Sequence, residues 1–172
     1  MQTSIPGLTG RRKRRQSGAV IVELSFVLVP TIAVLFAIAD FSMPIFLHST
    51  FNHAAREATR FAITFSTTYN GTTYSTQTDA IKAVVQANSL GFLQGATGLG
   101  QIFVKYYLPV SPFGEVTGAG ANANGNIVEV TISGFNWLPM APVSRVSQAL
   151  SVGAISADRL ESLGPGSTRP TP

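Results

Sequence analysis

Hydrophobic and polar positions divide the chain into three regimes. From Ala19 to Ala39 the run AVIVELSFVLVPTIAVLFAIA is apolar almost without interruption, and Glu23 is its only charge. A helix of that length spans about 30 Å, the thickness of a bilayer's hydrocarbon core. An ionisable group inside such a run is costly and by default marks function. In the second regime, Ile45 to about Phe65, Ala54, Ala55, Ala58, Phe61, Ala62 and Phe65 recur at spacings of three and four. That is a helical stripe, and Arg56 and Arg60 lie one turn apart on another face. Together the two regimes predict one long helix from near Ala19 to near Thr64, kinked at Pro30 and Pro44, with its first half in a membrane and its second half outside. Alanines on the stripe let another helix or a sheet approach closely.

Beyond Gly100 the period changes to two. Ile102, Val104, Tyr106 and Leu108 alternate with Phe103, Lys105 and Tyr107; Val128, Val130 and Ile132 alternate with Glu129, Thr131 and Ser133; Leu150, Val152 and Ala154 alternate with Ser151, Gly153 and Ile155. Such alternation predicts three strands, each with one buried face. Between helix and strands, residues 66–77 form a polar connector with an Asn70-Gly71 turn signal. Thr78 is placed to cap a short helix from Asp79 to Ser89, with Ala80, Ile81, Val84, Val85 and Leu90 as its apolar side and Gly91 as its stop. Gly95 to Gly100 is expected to be a flexible loop, and the tail from Ser162 to be disordered. The segment FNWLPM, Phe135 to Met140, suits a loop folded over the sheet edge or an exposed contact patch.

The predicted fold class is therefore α+β: a long N-terminal helix, transmembrane then amphipathic, packed on a small antiparallel β-sheet domain with one additional short helix. The expected organisation is a basic leader (1–18), a transmembrane helix (19–39), an exposed continuation of that helix (40–65), a small α+β extracytoplasmic domain (66–161) and a tail (162–172).

Charge changes this picture at one end only. Residues 1–18 carry five basic residues, Arg11, Arg12, Lys13, Arg14 and Arg15, and no acids. The rest carries seven basic and eight acidic residues, a net of −1. A nucleic-acid surface would need basic residues spread over a folded face, and the domain lacks them. A cluster just before an apolar helix suits a topogenic signal holding the N-terminus in the cytoplasm. There is no cysteine, which excludes disulfides and thiolate metal sites.

Candidate chemistry is sparse. His48 and His53, five apart, point about 140° apart on a helix and cannot share a metal as an i, i+4 pair can. Gly95, Gly98 and Gly100 follow no strand and precede no Gly-Lys-Ser/Thr, so they form no phosphate cradle. No serine sits in a G-x-S-x-G elbow, and Asp79, Glu115, Glu129, Asp158 and Glu161 show no paired spacing for acid/base work. Asn70-Gly71-Thr72 fits a glycosylation sequon, beside its plainer reading as a turn. The expectation is a protein that is not an enzyme, with no cofactor, no metal, no small-molecule substrate and no nucleic-acid partner.

The order of basic residues, Gly18, Ala19-Val20-Ile21-Val22-Glu23 and an apolar helix resembles a class III (type IV) prepilin signal. In that family a membrane-embedded aspartic peptidase cleaves after the glycine, and glutamate is residue +5 of the mature chain, the place Glu23 holds here. Leu28-Val29-Pro30, Asp40-Phe41 and Asn52-His53-Ala54-Ala55-Arg56-Glu57-Ala58-Thr59-Arg60-Phe61-Ala62 are similar to the TadE-like pseudopilins of tight-adherence (Flp) pilus systems. The resemblance covers residues 11–65. In Flp-type major pilins an aromatic residue usually follows the glutamate; Leu24 stands here, which argues for a minor pseudopilin. The resemblance implies cleavage between Gly18 and Ala19, assembly through Glu23, and Pro30, Asp40, Phe41, Arg56 and Arg60 as family-motif positions. The implied partners are a prepilin peptidase, other pilins or pseudopilins, the pilus assembly platform and the membrane. The implied location is the bacterial inner membrane, single-pass, with the N-terminus cytoplasmic and the domain periplasmic, or incorporated into an extracellular pilus. Two alternatives stay open: an uncleaved bitopic anchor for a binding domain, and a soluble exported protein cut after Ala37-Ile38-Ala39, which resembles a signal peptidase site.

Overall fold

The computed structural model describes residues 16–139, 149–163 and 168–172. Helix α1 runs from Gln16 to Ile63 and contains both Pro30 and Pro44. Its second half buries one stripe: Leu47, Phe51, Ala54, Ala55, Ala58 and Ala62 are inaccessible to solvent. Phe65 closes the stripe just past the helix, in a left-handed conformation with φ of 53°. The stripe thus starts two turns earlier than the alanines alone indicate, because Leu47 and Phe51 continue the same face.

A hairpin follows. β1 (Thr68–Tyr69) and β2 (Thr72–Thr73) pair across Asn70 and Gly71, whose φ values are 48° and 79°. Positive φ at both central residues gives the turn twist that matches paired strands, and Asn-Gly is the pair that tolerates it. The turn signal in the connector was legible; the strands beside it, of two residues each, were not.

Helix α2 (Gln77–Asn88) is capped by Thr76, two residues before the expected Thr78. The Thr76 hydroxyl accepts from the Asp79 backbone N–H at 3.1 Å and donates to the Asp79 carboxylate at 2.8 Å, a reciprocal cap. Ala80, Ile81, Val84 and Val85 are buried as expected, whereas Leu90 is exposed. The helix ends at Ser89, and Leu90 takes a φ of 52° that turns it away from the core; Leu93 fills the core instead. Gly95 to Leu99, expected as a loop, forms a second short helix, α3. Gly98 lies against the Leu93 backbone so closely that a Cβ there would overlap its carbonyl.

The main sheet is antiparallel with order β4-β3-β5-β6, where β3 is Ile102–Tyr107, β4 Glu115–Val116, β5 Ile127–Trp137 and β6 Leu150–Arg159. The three strands expected from alternation are the three long ones. β4, only two residues, pairs with the end of β3 through Tyr106↔Val116 and Tyr107↔Glu115. Phe135 to Trp137 continue β5 past an irregularity after Ile132 and pair with β6 as far as Trp137↔Leu150; they form a strand, not a loop, and Met140 lies outside the described residues. Ile102, Tyr106, Val128, Val130, Ile132, Val152 and Ala154 face α1 and α2 and make one core with the α1 stripe. Gly153 permits the close pairing of β5 and β6: a Cβ there would come within 2.6 Å of the Ile132 carbonyl.

A buried polar chain ties the layers together. Gln77 donates from Nε2 to the Ala62 carbonyl at the end of α1, 2.7 Å away. Its Oε1 accepts from Asn122 Nδ2 at 2.7 Å. The end of the tail completes this chain. The Pro170 carbonyl accepts from Asn122 Nδ2, and the Thr171 carbonyl accepts from the Gln77 backbone N–H at 2.8 Å. A composition poor in apolar residues predicts disorder here, but residues 168–172 are held by backbone carbonyls answering buried donors, which composition does not register.

Candidate functional site: an exposed apolar helix

The first half of α1, to Ala39, is apolar and exposed to solvent. Val20, Ile21, Val22, Leu24, Phe26, Val27, Leu28, Val29, Val34, Leu35, Phe36, Ile38 and Phe41 are all exposed, Phe26 by 78 %. The helix is long and apolar enough to cross a membrane. Its few hydroxyls are satisfied internally: Ser25, Thr31 and Ser42 donate to the carbonyls of Ile21, Val27 and Ile38 at 2.7–2.8 Å. Such back-bonding leaves no donor unanswered in an apolar surrounding. Pro30 has no N–H, so the Phe26 carbonyl lacks its usual intrahelical donor. Val22, Ser25, Phe26, Val29 and Pro30 line a shallow apolar groove on one face. Glu23 is exposed and lies about 20° from Pro30 on the helical wheel, seven residues away.

Gly18 and Ala19 sit in the first turns of α1, both exposed. Among the described residues nothing requires glycine at 18: its φ is not positive, and none of their atoms lies within 4 Å of where a Cβ would be. Glycine inside a helix costs about 1 kcal/mol relative to alanine, so its presence points to a demand from outside the fold. Arg11, Arg12, Lys13, Arg14 and Arg15 lie outside the described residues.

The remaining motif positions are not gathered into one place. Gly18 and Arg60 are separated along α1 by roughly 60 Å at 1.5 Å per residue. Asp40 is half-buried and Phe41 exposed, where the bare helix approaches the domain. Arg56 and Arg60 are exposed beside the buried stripe, and Arg56 Nε donates to the Asn52 carbonyl at 3.3 Å.

The domain offers little chemistry of its own. His48 bonds through Nδ1 to the Gly153 carbonyl at 3.0 Å, which pins α1 to β6, and His53 is exposed. Among the described residues no three His, Cys, Asp or Glu side chains gather as a metal site would need. A cleft beside the sheet, about 630 Å³, is lined by Asn124, Gly125, Asp158 to Glu161 and Ser162 and is open to solvent; Arg159 Nε is engaged there with the Gly125 carbonyl at 3.1 Å. Lys105 pairs with Glu115 at 3.0 Å across β3 and β4, and the hydrogen bond and charge of Glu115 raise its pKa. Both partners are solvated, and such pairs contribute little to stability.

Residues 18–60 match the family model of TadE-like proteins, a stretch that lies wholly within α1. No curated protein and no solved structure matches the chain.

Proposed function

We propose, from the premise that residues 18–60 are those of a TadE-like protein, that this chain is a minor pilin or pseudopilin, a structural and non-enzymatic component of pilus assembly. The observation that carries the reading is the bare apolar half of α1, whose only charge is Glu23. Before processing, the basic leader resists crossing and the helix holds the chain in the inner membrane with the domain outside. Cleavage after Gly18 by a prepilin peptidase removes the five leader charges and leaves a free amine at Ala19. The absence of any steric reason for Gly18 in the fold supports a peptidase requirement at that position. In a bundle of such helices a buried carboxylate needs a partner. The Ala19 amine of a neighbouring subunit supplies one, and the pair sets axial register. Leu24, Phe26, Val27, Leu28, Val29, Ile32, Leu35 and Phe36 pack the bundle, and the domain is displayed outside it.

N-terminal sequencing of the membrane-extracted protein tests the processing. Ala19 as first residue is the expected result. Met1 would make the chain an uncleaved anchor, and Asp40 would make it a soluble exported protein. Gly18→Leu should accumulate the form that retains the 18-residue leader; normal processing of that variant would contradict the proposed cleavage.

A further inference from the structure

Three elements end at the same level of α1, next to its bare half. Phe92, just past α2, packs edge-on against Phe46 with ring centroids 6.5 Å apart, and against Phe135 of β5 at 6.2 Å. Phe135 in turn meets Phe51 at 5.2 Å. The direction of β6 follows from its two bonds to α1: His48 reaches Gly153 and Thr59 reaches Ser156. Going backwards along β6 from Gly153 to Leu150 therefore leads towards Met43 and the bare half, and Trp137, paired with Leu150, lies at the same end. The side chains at this rim are apolar and open: Leu90 is 67 % exposed, Leu138 66 % and Leu150 41 %, beside Phe46 and Ile45 of α1.

Among the described residues, charge at this end is confined to Asp40, at the edge of the bare half. Residues 41–55, 83–104, 130–139 and 149–157, the segments that build it, contain no Asp, Glu, Lys or Arg. The charged side chains of the described domain, Arg56, Glu57, Arg60, Asp79, Lys82, Lys105, Glu115, Glu129, Asp158, Arg159, Glu161 and Arg169, all fall outside those segments. A water-facing surface of this size would ordinarily be studded with charge. An apolar rim continuous with an apolar span suits the boundary between acyl chains and headgroups, where tryptophan and leucine are favoured.

We infer that the base of the domain is a second membrane contact: a collar formed by Leu90, Trp137, Leu138 and Leu150 rests in the lipid interface around α1. This inference rests on the proposal that the first half of α1 spans the membrane. The collar fixes the height of the domain on the bilayer before assembly and limits its rocking about α1.

Trp137 is the only tryptophan and there is no cysteine, so the chain supplies its own depth probe and accepts a second one cleanly. The full chain is reconstituted in phosphatidylcholine vesicles whose acyl chains carry bromine either near the glycerol or near the bilayer centre. A fluorophore attached at Ala33→Cys reports the span. The collar predicts at least twofold quenching of Trp137 by shallow bromine, with weaker quenching by deep bromine, while the probe at 33 responds most to deep bromine. Leu90→Asp with Leu138→Asp, both at exposed positions, should at least halve the Trp137 quenching and leave the probe at 33 unchanged. Trp137 unquenched at both depths while the probe at 33 is quenched overturns the collar and leaves the membrane span standing. Quenching insensitive to the double substitution also overturns it. A probe at 33 that escapes quenching overturns the span and the collar together.

Discussion

Gln77 has no contact with solvent, yet its side chain and backbone make three hydrogen bonds that join α1, the Asn122 loop and the tail. A buried amide left without its partner costs about 1–3 kcal/mol. Gln77→Ala removes one of the two acceptors of Asn122 Nδ2, the Pro170 carbonyl remaining, and the side-chain donor to Ala62. Chemical denaturation of the domain should show a loss of that size, with the fold retained. Tyr106 is a contrasting case. Its hydroxyl is buried and makes no hydrogen bond within the geometric limits among the described residues, and burial raises its pKa above the usual value. A tyrosine whose pKa is raised on folding stabilises the native state below the unfolded pKa, and that contribution is lost as pH rises from about 10 through the folded pKa. Tyr106→Phe should flatten the alkaline fall in stability and cost little at neutral pH, since it removes an unpaired polar atom. A steeper alkaline decline in the variant would contradict this assignment.

At the scale of elements, the alanine stripe of α1 packs against β6 and α2. Ala54, Ala55, Ala58 and Ala62 are inaccessible, so the partners approach the helix backbone itself. Ala58→Leu inserts three heavy atoms into a filled space and should destabilise the domain by about 1–3 kcal/mol; an unchanged denaturation midpoint would mean that this face has room to spare. This stripe and the three long strands were legible because period is a strong signal over many residues. The departures share a different cause. β1, β2 and β4 are two residues long, too short to show a period. The α2 cap moved to Thr76 because the reciprocal bond with Asp79 outweighs a simple hydroxyl at Thr78. Leu90 is expected on the apolar side of α2, but the helix ends before it and a left-handed φ redirects it. Of the candidate site, the apolar span and Glu23 could be found from sequence. The collar could not, since Leu90, Trp137, Leu138 and Leu150 come from separate segments and meet only through sheet register and the direction of α2.

On the scale of the whole molecule, α1 is two helices in one: a half that builds the core of a small α+β domain and a half whose large apolar side chains are exposed. The buried core draws on the second half of α1; under the proposed function the first half serves a membrane and then other subunits. Glu23 is where those two roles conflict. One acidic group near the end of a span reaches the interface at modest cost, whereas in a dry bundle it must be paired. The most direct measurement replaces it. Glu23→Val in the native system should reach the same membrane level and topology as the wild type, because insertion gains from losing a charge. Its co-purification with other pilins, and its recovery in sheared pili, should fall sharply, because the neighbouring Ala19 amine is left without a counter-charge. Assembly of Glu23→Val at the wild-type level would contradict the account.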